Sequence, residues 1–129
     1  MSILGIADHK LEHTDGNFQT EQHDKCTLIT SSAWRNSNYA SCGGVGLLIS
    51  NNVESSLCDV EPINERILCA HFNGNPATSV IVHYAPTEGS DGAEEHYVNL
   101  TNVINSIPKH NVTIITGDCN AHIGKIHLP

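Results

Sequence analysis

Basic residues are scarce in this chain. Six Lys and Arg stand against 14 Asp and Glu over 129 residues, for a formal net charge of -8. A chain that binds nucleic acid by neutralising phosphates needs a basic face, so this balance counts against tight nonspecific binding of that kind. It does not exclude a metal-dependent site, where a cation screens phosphate from carboxylates. Aromatic residues make up only 5% of the chain, so the core is expected to be aliphatic. No apolar run is long enough to span a bilayer. The opening Met1-Ser2-Ile3-Leu4-Gly5-Ile6-Ala7-Asp8 has no basic n-region and soon meets a charge, which does not read as a signal peptide.

Paired cysteine motifs are also missing. Cys26, Cys42, Cys58, Cys69 and Cys119 are odd in number and form no Cys-x-x-Cys. They read as reduced thiols of an intracellular protein, nuclear or cytoplasmic, and the sequons at Asn99 and Asn111 then carry little weight. Nine His invite a zinc site, for example from His13, His23 and Cys26, but these spacings match no structural zinc pattern. Gly43-Gly44-Val45-Gly46 lacks the Gly-Lys-Ser/Thr of a phosphate loop and precedes no helical pattern, so it reads as a strand entered through glycines.

What is present is mostly strand. Residues 2–7 form a short apolar run, 14–25 a polar surface loop, and 26–34 a roughly alternating β-rich segment. A polar loop over 35–42 leads to the strand entered at Gly43, which Asn51-Asn52 closes. Residues 66–72 and 78–84 read as a hairpin around Asn73-Gly74-Asn75-Pro76. One helix is expected, capped by Asp91 with Glu94 three residues on. Its inward stripe is Tyr97, Leu100, Val103, Ile104 and Ile107, and Pro108 ends it. Residues 111–116 then form a strand that delivers Asp118. Hairpin-connected strands with one helix predict an α+β sandwich rather than a doubly wound parallel sheet.

The chemistry is concentrated after that last strand. In Thr116-Gly117-Asp118-Cys119-Asn120 the Asp and Asn stand two apart, so both can project from one side of a strand end. A carboxylate can take a proton from water, and a carboxamide can donate to a phosphoryl oxygen without adding charge. The same letters also suit an ordinary strand-to-turn sequence.

Four segments in order then carry a resemblance. They are Leu4-Gly5-Ile6-Ala7-Asp8-His9-Lys10-Leu11, Gly43-Gly44-Val45-Gly46-Leu47-Leu48-Ile49-Ser50, Val80-Ile81-Val82-His83-Tyr84-Ala85-Pro86-Thr87, and the stretch from Ile114 through Asp118 and Asn120 to Gly124. Together they resemble the endonuclease/exonuclease/phosphatase superfamily. More narrowly, they resemble the apurinic-type endonuclease domain of non-LTR retrotransposons and the craniofacial-development-protein-2-like genes related to it. The resemblance spans essentially the whole chain. It implies a DNase I-like, four-layer α-β-β-α sandwich with its site at one end of two packed sheets. It also implies magnesium, with manganese as the alternative, assisting attack of water on a phosphodiester of DNA.

Carried over residue by residue, the resemblance places Asp8 where the family has a metal-binding Glu. Tyr84 matches the Tyr that reaches the scissile phosphate, Asp118 the residue that orients or deprotonates the water, and Asn120 the one that binds the phosphoryl oxygen. Asp8 is one methylene shorter than Glu. Magnesium holds ligands in a strict octahedron at about 2.1 Å, so binding through water is expected of Asp8. The family's first-strand Asn would lie before Met1, and its later Asp and terminal Asp-His pair beyond Pro129. His122 and His127 match no family position. Residues 1–129 therefore read as one domain truncated at both ends. Ancestry favours a metal-dependent endonuclease. The net charge and the missing motifs favour the alternative for the polypeptide as given, a catalytically inactive remnant or protein-interaction module.

Overall fold

The alternation of apolar side chains along the strands builds two sheets with a shared interior. The computed structural model describes residues 3–12, 18–35, 41–87 and 89–118. In chain order the elements are β1 (Ile3–Ala7), β2 (Phe18–Gln22), β3 (Cys26–Ser31), β4 (Trp34–Arg35), β5 (Ser41–Cys42) and β6 (Val45–Ser50). There follow α1 (Asn51–Glu54), β7 (Leu57–Asn64), β8 (Ile67–Phe72), β9 (Thr78–Tyr84), α2 (Ala93–Ser106) and β10 (Val112–Asp118).

The first sheet has the order β1-β6-β3-β2 and the second the order β10-β9-β8-β7, while β4 and β5 form a separate two-stranded ribbon. Within the first sheet every pairing is antiparallel. In the second, β7, β8 and β9 are antiparallel neighbours, and α2 carries the chain across so that β10 lies parallel to β9. The α+β expectation therefore holds, with one parallel pair at the end of an otherwise antiparallel sheet.

Period-two alternation decides which residue faces which layer. Ile29, Val45, Leu47 and Ile49 of the first sheet meet Leu68, Ala70, Phe72, Val80 and Val82 of the second, with Val53 of α1 closing the cluster. The intervening residues Ile67, Cys69 and Ile81 point the other way, onto Leu100, Val103 and Ile107 of α2. Strands β8 and β9 are thus covered on both faces, which is why their sequences are nearly continuous apolar runs. Ser31 is buried between sheets without penalty, because its hydroxyl donates to the Val45 carbonyl and accepts from the Val45 amide.

Three expectations are corrected: the loop over 14–25, the Asp91 cap and the inward place of Tyr97. The loop expected over 14–25 contains β2, which pairs with β3, and the stretch between Asn52 and Arg66, to which the sequence assigned no element, contains β7. Both are sheet edges. Asp91 does not cap the helix, whose N-cap is Gly92 at φ 90°, with no side-chain capping bond. The chain enters α2 through a turn in which the Ser90 amide donates to the Thr87 carbonyl. Gly92 takes the left-handed conformation there at no steric cost. On the helix face, buried His96 stands in line with Leu100, Val103 and Ile107, whereas Tyr97 is exposed.

Candidate functional site

Both sheets deliver chemistry-bearing residues to one end of the sandwich. On the second sheet the parallel register sets Asp118 beside Tyr84 and Gly117 beside His83. The Ala85 amide donates to the Asp118 carbonyl at 2.8 Å, carrying the pairing one residue past the strand. Gly117 is required. At φ 132° its backbone lies against His83, and an added Cβ would come within 1.9 Å of the His83 carbonyl oxygen. The sequence read this glycine as a turn residue; its larger service is a close approach that brings Asp118 level with Tyr84.

On the first sheet, β1 ends in a locked turn. Asp8 has φ 60° and Lys10 φ 62°, conformations that non-glycine residues seldom adopt. Four hydrogen bonds hold them there. The Asp8 and Lys10 amides donate to the carbonyls of Gly44 and Gly43, each at 2.8 Å. The Gly43 amide donates to Asp8 Oδ1 at 2.9 Å, and the Leu11 amide donates to His9 Nδ1 at 2.9 Å. The sheets meet just before these ends, where Gly5 of β1 lies so close to Thr116 of β10 that an added Cβ would stand 2.5 Å from its methyl group. Asp8 is tied to Gly43, the Trp34 ring lies against Gly43 and 6.4 Å from the Tyr84 ring, and Asp118 stands beside Tyr84, so Asp8 and Asp118 lie at the same end of the sandwich.

Around Tyr84 gather two side chains the sequence did not single out, Trp34 and Arg66. The Trp34 ring lies against Gly43, where no other side chain has room, and its centroid is 6.4 Å from that of Tyr84. The Arg66 guanidinium stands over both rings, 4.6 Å from Trp34 and 5.3 Å from Tyr84. It also donates to the Tyr84 carbonyl at 3.0 Å, while the Tyr84 amide donates to the Arg66 carbonyl. A half-buried guanidinium gains cation–π attraction from both rings and keeps a fixed charge near the Tyr84 hydroxyl's strand end. No local spacing announces this trio, because its members come from three separate segments.

Behind Tyr84, His83 and His96 are buried with their rings stacked at 5.4 Å and Nδ1 of one 3.1 Å from Nε2 of the other. One ring nitrogen donates and the other accepts, so the pair shares one proton position. Burial lowers the His83 pKa, and the Asp118 carboxylate partly opposes this. For His96, burial, then His83, then Arg66 push the pKa down to about 4. The pair is neutral at physiological pH.

Of the four residues placed by resemblance, Asp8, Tyr84 and Asp118 come to this end. Asn120 lies outside the described residues, as do His122 and His127. Asp8 and Asp118 carry carboxylates, the ligand type that magnesium takes, and among the described residues neither joins a three-ligand cluster. One oxygen of Asp8 already accepts the Gly43 amide. Of the zinc set weighed from spacing, His13 is outside the described residues. His23 and Cys26 flank the β2–β3 turn, the His23 amide donating to the Cys26 carbonyl. Among the described residues they join no three-ligand cluster.

No protein-family model matches the chain, and no solved structure matches it. Two curated relatives do. Craniofacial development protein 2 of Bos taurus is 29% identical over 132 residues, covering all of this chain and 21% of that protein. The protein of the same name from Tragulus javanicus is 28% identical over 132 residues, covering all of this chain and 22% of its own length. The chain thus spans about a fifth of the length of the relatives it matches. Weak but end-to-end similarity to craniofacial development protein 2 supports that family label.

Proposed function

We propose that the chain carries the site of a metal-dependent phosphodiester hydrolase, an endonuclease domain of retrotransposon origin acting on DNA inside the cell. The observation that carries this reading is the convergence of Asp8, Tyr84 and Asp118 from two different sheets on one end of the sandwich. In this reading the chain is part of a DNase I-like four-layer sandwich, to which the described residues contribute two sheets and the α2 layer.

Asp8 would hold magnesium or manganese, directly or through water, and the ion would supply charge neutralisation at the phosphoryl oxygens when bound. The chain's own residues do the rest. Asp118 accepts a proton from the attacking water, whose oxygen forms the new bond to phosphorus as the bond to the leaving sugar oxygen breaks. That oxygen takes its proton from solvent. Tyr84 donates its hydroxyl hydrogen to a phosphoryl oxygen, and Asn120 donates from its carboxamide to another. Arg66 orients Tyr84 through the carbonyl it binds and adds positive charge close to where the phosphate would lie.

A plasmid-nicking assay with magnesium, run beside Asp118→Ala and an EDTA control, tests the reading. Nicking that falls by roughly 100-fold or more in the variant and disappears with EDTA supports it. Equal inertness of folded wild type and Asp118→Ala would overturn it. It would favour a catalytically inactive interaction module, a reading supported by the net charge of -8 and by the exposed Val112, Ile114 and Ile115 on β10.

A further inference from the structure

On the α2-facing side of the second sheet, away from the Tyr84–Asp118 end, three side chains of different chemistry converge. Cys69 and His71 stand two apart on β8 and so share a face. The antiparallel register sets Glu61 opposite Cys69 and Asp59 opposite His71. Cys69 Sγ lies 3.7 Å from His71 Nε2, and His71 Nε2 lies 3.4 Å from Glu61 Oε2. All three ligand atoms fall within 4.8 Å of one another. From the Ser79 that faces His71 to Tyr84 is roughly 16 Å along β9 at strand rise, so this cluster is separate from the Asp118 end.

We propose that Glu61, Cys69 and His71 form a binding site for zinc or a similar borderline-soft divalent ion. Around a tetrahedral zinc, with sulfur at about 2.3 Å and nitrogen or oxygen at about 2.0–2.2 Å, neighbouring ligand atoms stand roughly 3.3–3.6 Å apart. The two separations at His71 are close to those tetrahedral edges, and Cys69 and Glu61 lie within 4.8 Å of each other, so a small side-chain movement closes the three on an ion. His71 is also already oriented. Its Nδ1 is paired with the Ser79 hydroxyl at 2.8 Å, which leaves Nε2 aimed at Cys69 and Glu61. An outer hydrogen bond of this kind fixes the ring and tautomer of a metal-bound histidine.

The donor set selects the ion. Thiolate, imidazole and carboxylate suit zinc and disfavour magnesium, which takes oxygen. Glu61 is exposed, so one coordination position opens to water, and the Asp59 carboxylate lies near enough to add negative charge. On binding, the sulfur–hydrogen bond of Cys69 is replaced by a sulfur–metal bond and the proton leaves to solvent. The ion joins edge strand β7 to central strand β8. This site does not depend on the hydrolase reading.

The full chain titrated with Co²⁺ as a spectroscopic stand-in, then with Zn²⁺ by competition, tests the proposal. One ion per chain is expected, with a thiolate-to-cobalt charge-transfer band and a rise in melting temperature on adding Zn²⁺. Glu61→Gln, on an exposed side chain, should weaken binding at least about 10-fold without unfolding the protein. Ser79→Ala should cost about 10- to 100-fold. Cys69→Ser should abolish the band, and Cys26→Ser should keep it. A folded wild-type chain that shows no thiolate band would overturn the proposal. So would a band unchanged in Glu61→Gln and His71→Ala, or one lost in Cys26→Ser.

Discussion

Strands β9 and β10 lie side by side with nearly the same letters and opposite fates. Val80 pairs with Ile114 and Ile81 with Ile115. Val80 and Ile81 are 2% and 0% exposed, while Ile114 and Ile115 are 41% and 46% exposed. β-Branched residues suit both strands equally. What differs is cover: β9 has the first sheet on one face and α2 on the other, whereas β10 is the edge of its sheet. Composition therefore reports that a segment is a strand, and only its neighbours decide how much that strand stabilises.

The largest effect should come from the residue that breaks this contrast. Gly117 is on the exposed strand, yet Gly117→Ala would drive a methyl group into the His83 carbonyl at a positive φ. Destabilisation on the order of 4 kcal/mol or more is expected, read as a lowered urea midpoint, with Asp118 displaced from Tyr84. Ile81→Ala, in the covered strand, should cost about 3 kcal/mol by the loss of buried methyl and methylene groups and the cavity left behind. If Ile115→Ala in β10 costs as much as Ile81→Ala, the contrast fails.

Acid tests the seam between the two strands, where His83 of β9 lies beside Gly117. His83 and His96 are held neutral by burial, with His96 down at about 4, while the unfolded chain protonates near 6.5. The folded state therefore binds fewer protons below that value. Their contribution is complete above pH 6.5 or so and is lost as the pH falls toward 4. Urea midpoints at pH 7.5 and 5 should show this slope, and His96→Gln should flatten it.

The smallest change in stability should come from Ile115→Lys, within about 0.5 kcal/mol. Its effect should be on association instead. An exposed apolar edge strand templates pairing with other chains, and a charge there blocks it. Sedimentation velocity should show concentration-dependent association in the wild type and less of it in the variant.

The sequence was most legible where one residue type serves a local need. The glycines before Val45 and the apolar runs of β8 and β9 read correctly, whereas Gly117, read as a turn residue, is a paired strand position. Strands β2 and β7 did not. Phe18-Gln19-Thr20-Glu21-Gln22 is polar because it edges its sheet, and β7 contains Pro62 beside a shift of register, so neither shows clean alternation. Asp91 and Glu94 carry a capping signal that a left-handed Gly92 overrode. Trp34, Arg66 and the His83–His96 pair were invisible for another reason. Each depends on a contact between segments far apart in the chain, and nothing in the flanking residues encodes it. The Glu61–Cys69–His71 cluster is hidden in the same way, since Cys-x-His becomes a ligand pair only when antiparallel register supplies the third member.

The pairing of β1 has a consequence for the order of assembly. The hairpin of β8 and β9 closes over a short loop, so it can form as soon as its residues leave the ribosome. β1 pairs with β6 and lays Gly5 against Thr116, so β1 completes its contacts only after β10 has been made. Such long-range closure is slow. Until β10 is made, Asp8 has no opposite carboxylate, and the two halves of the candidate site come together only once β1 and β10 have met.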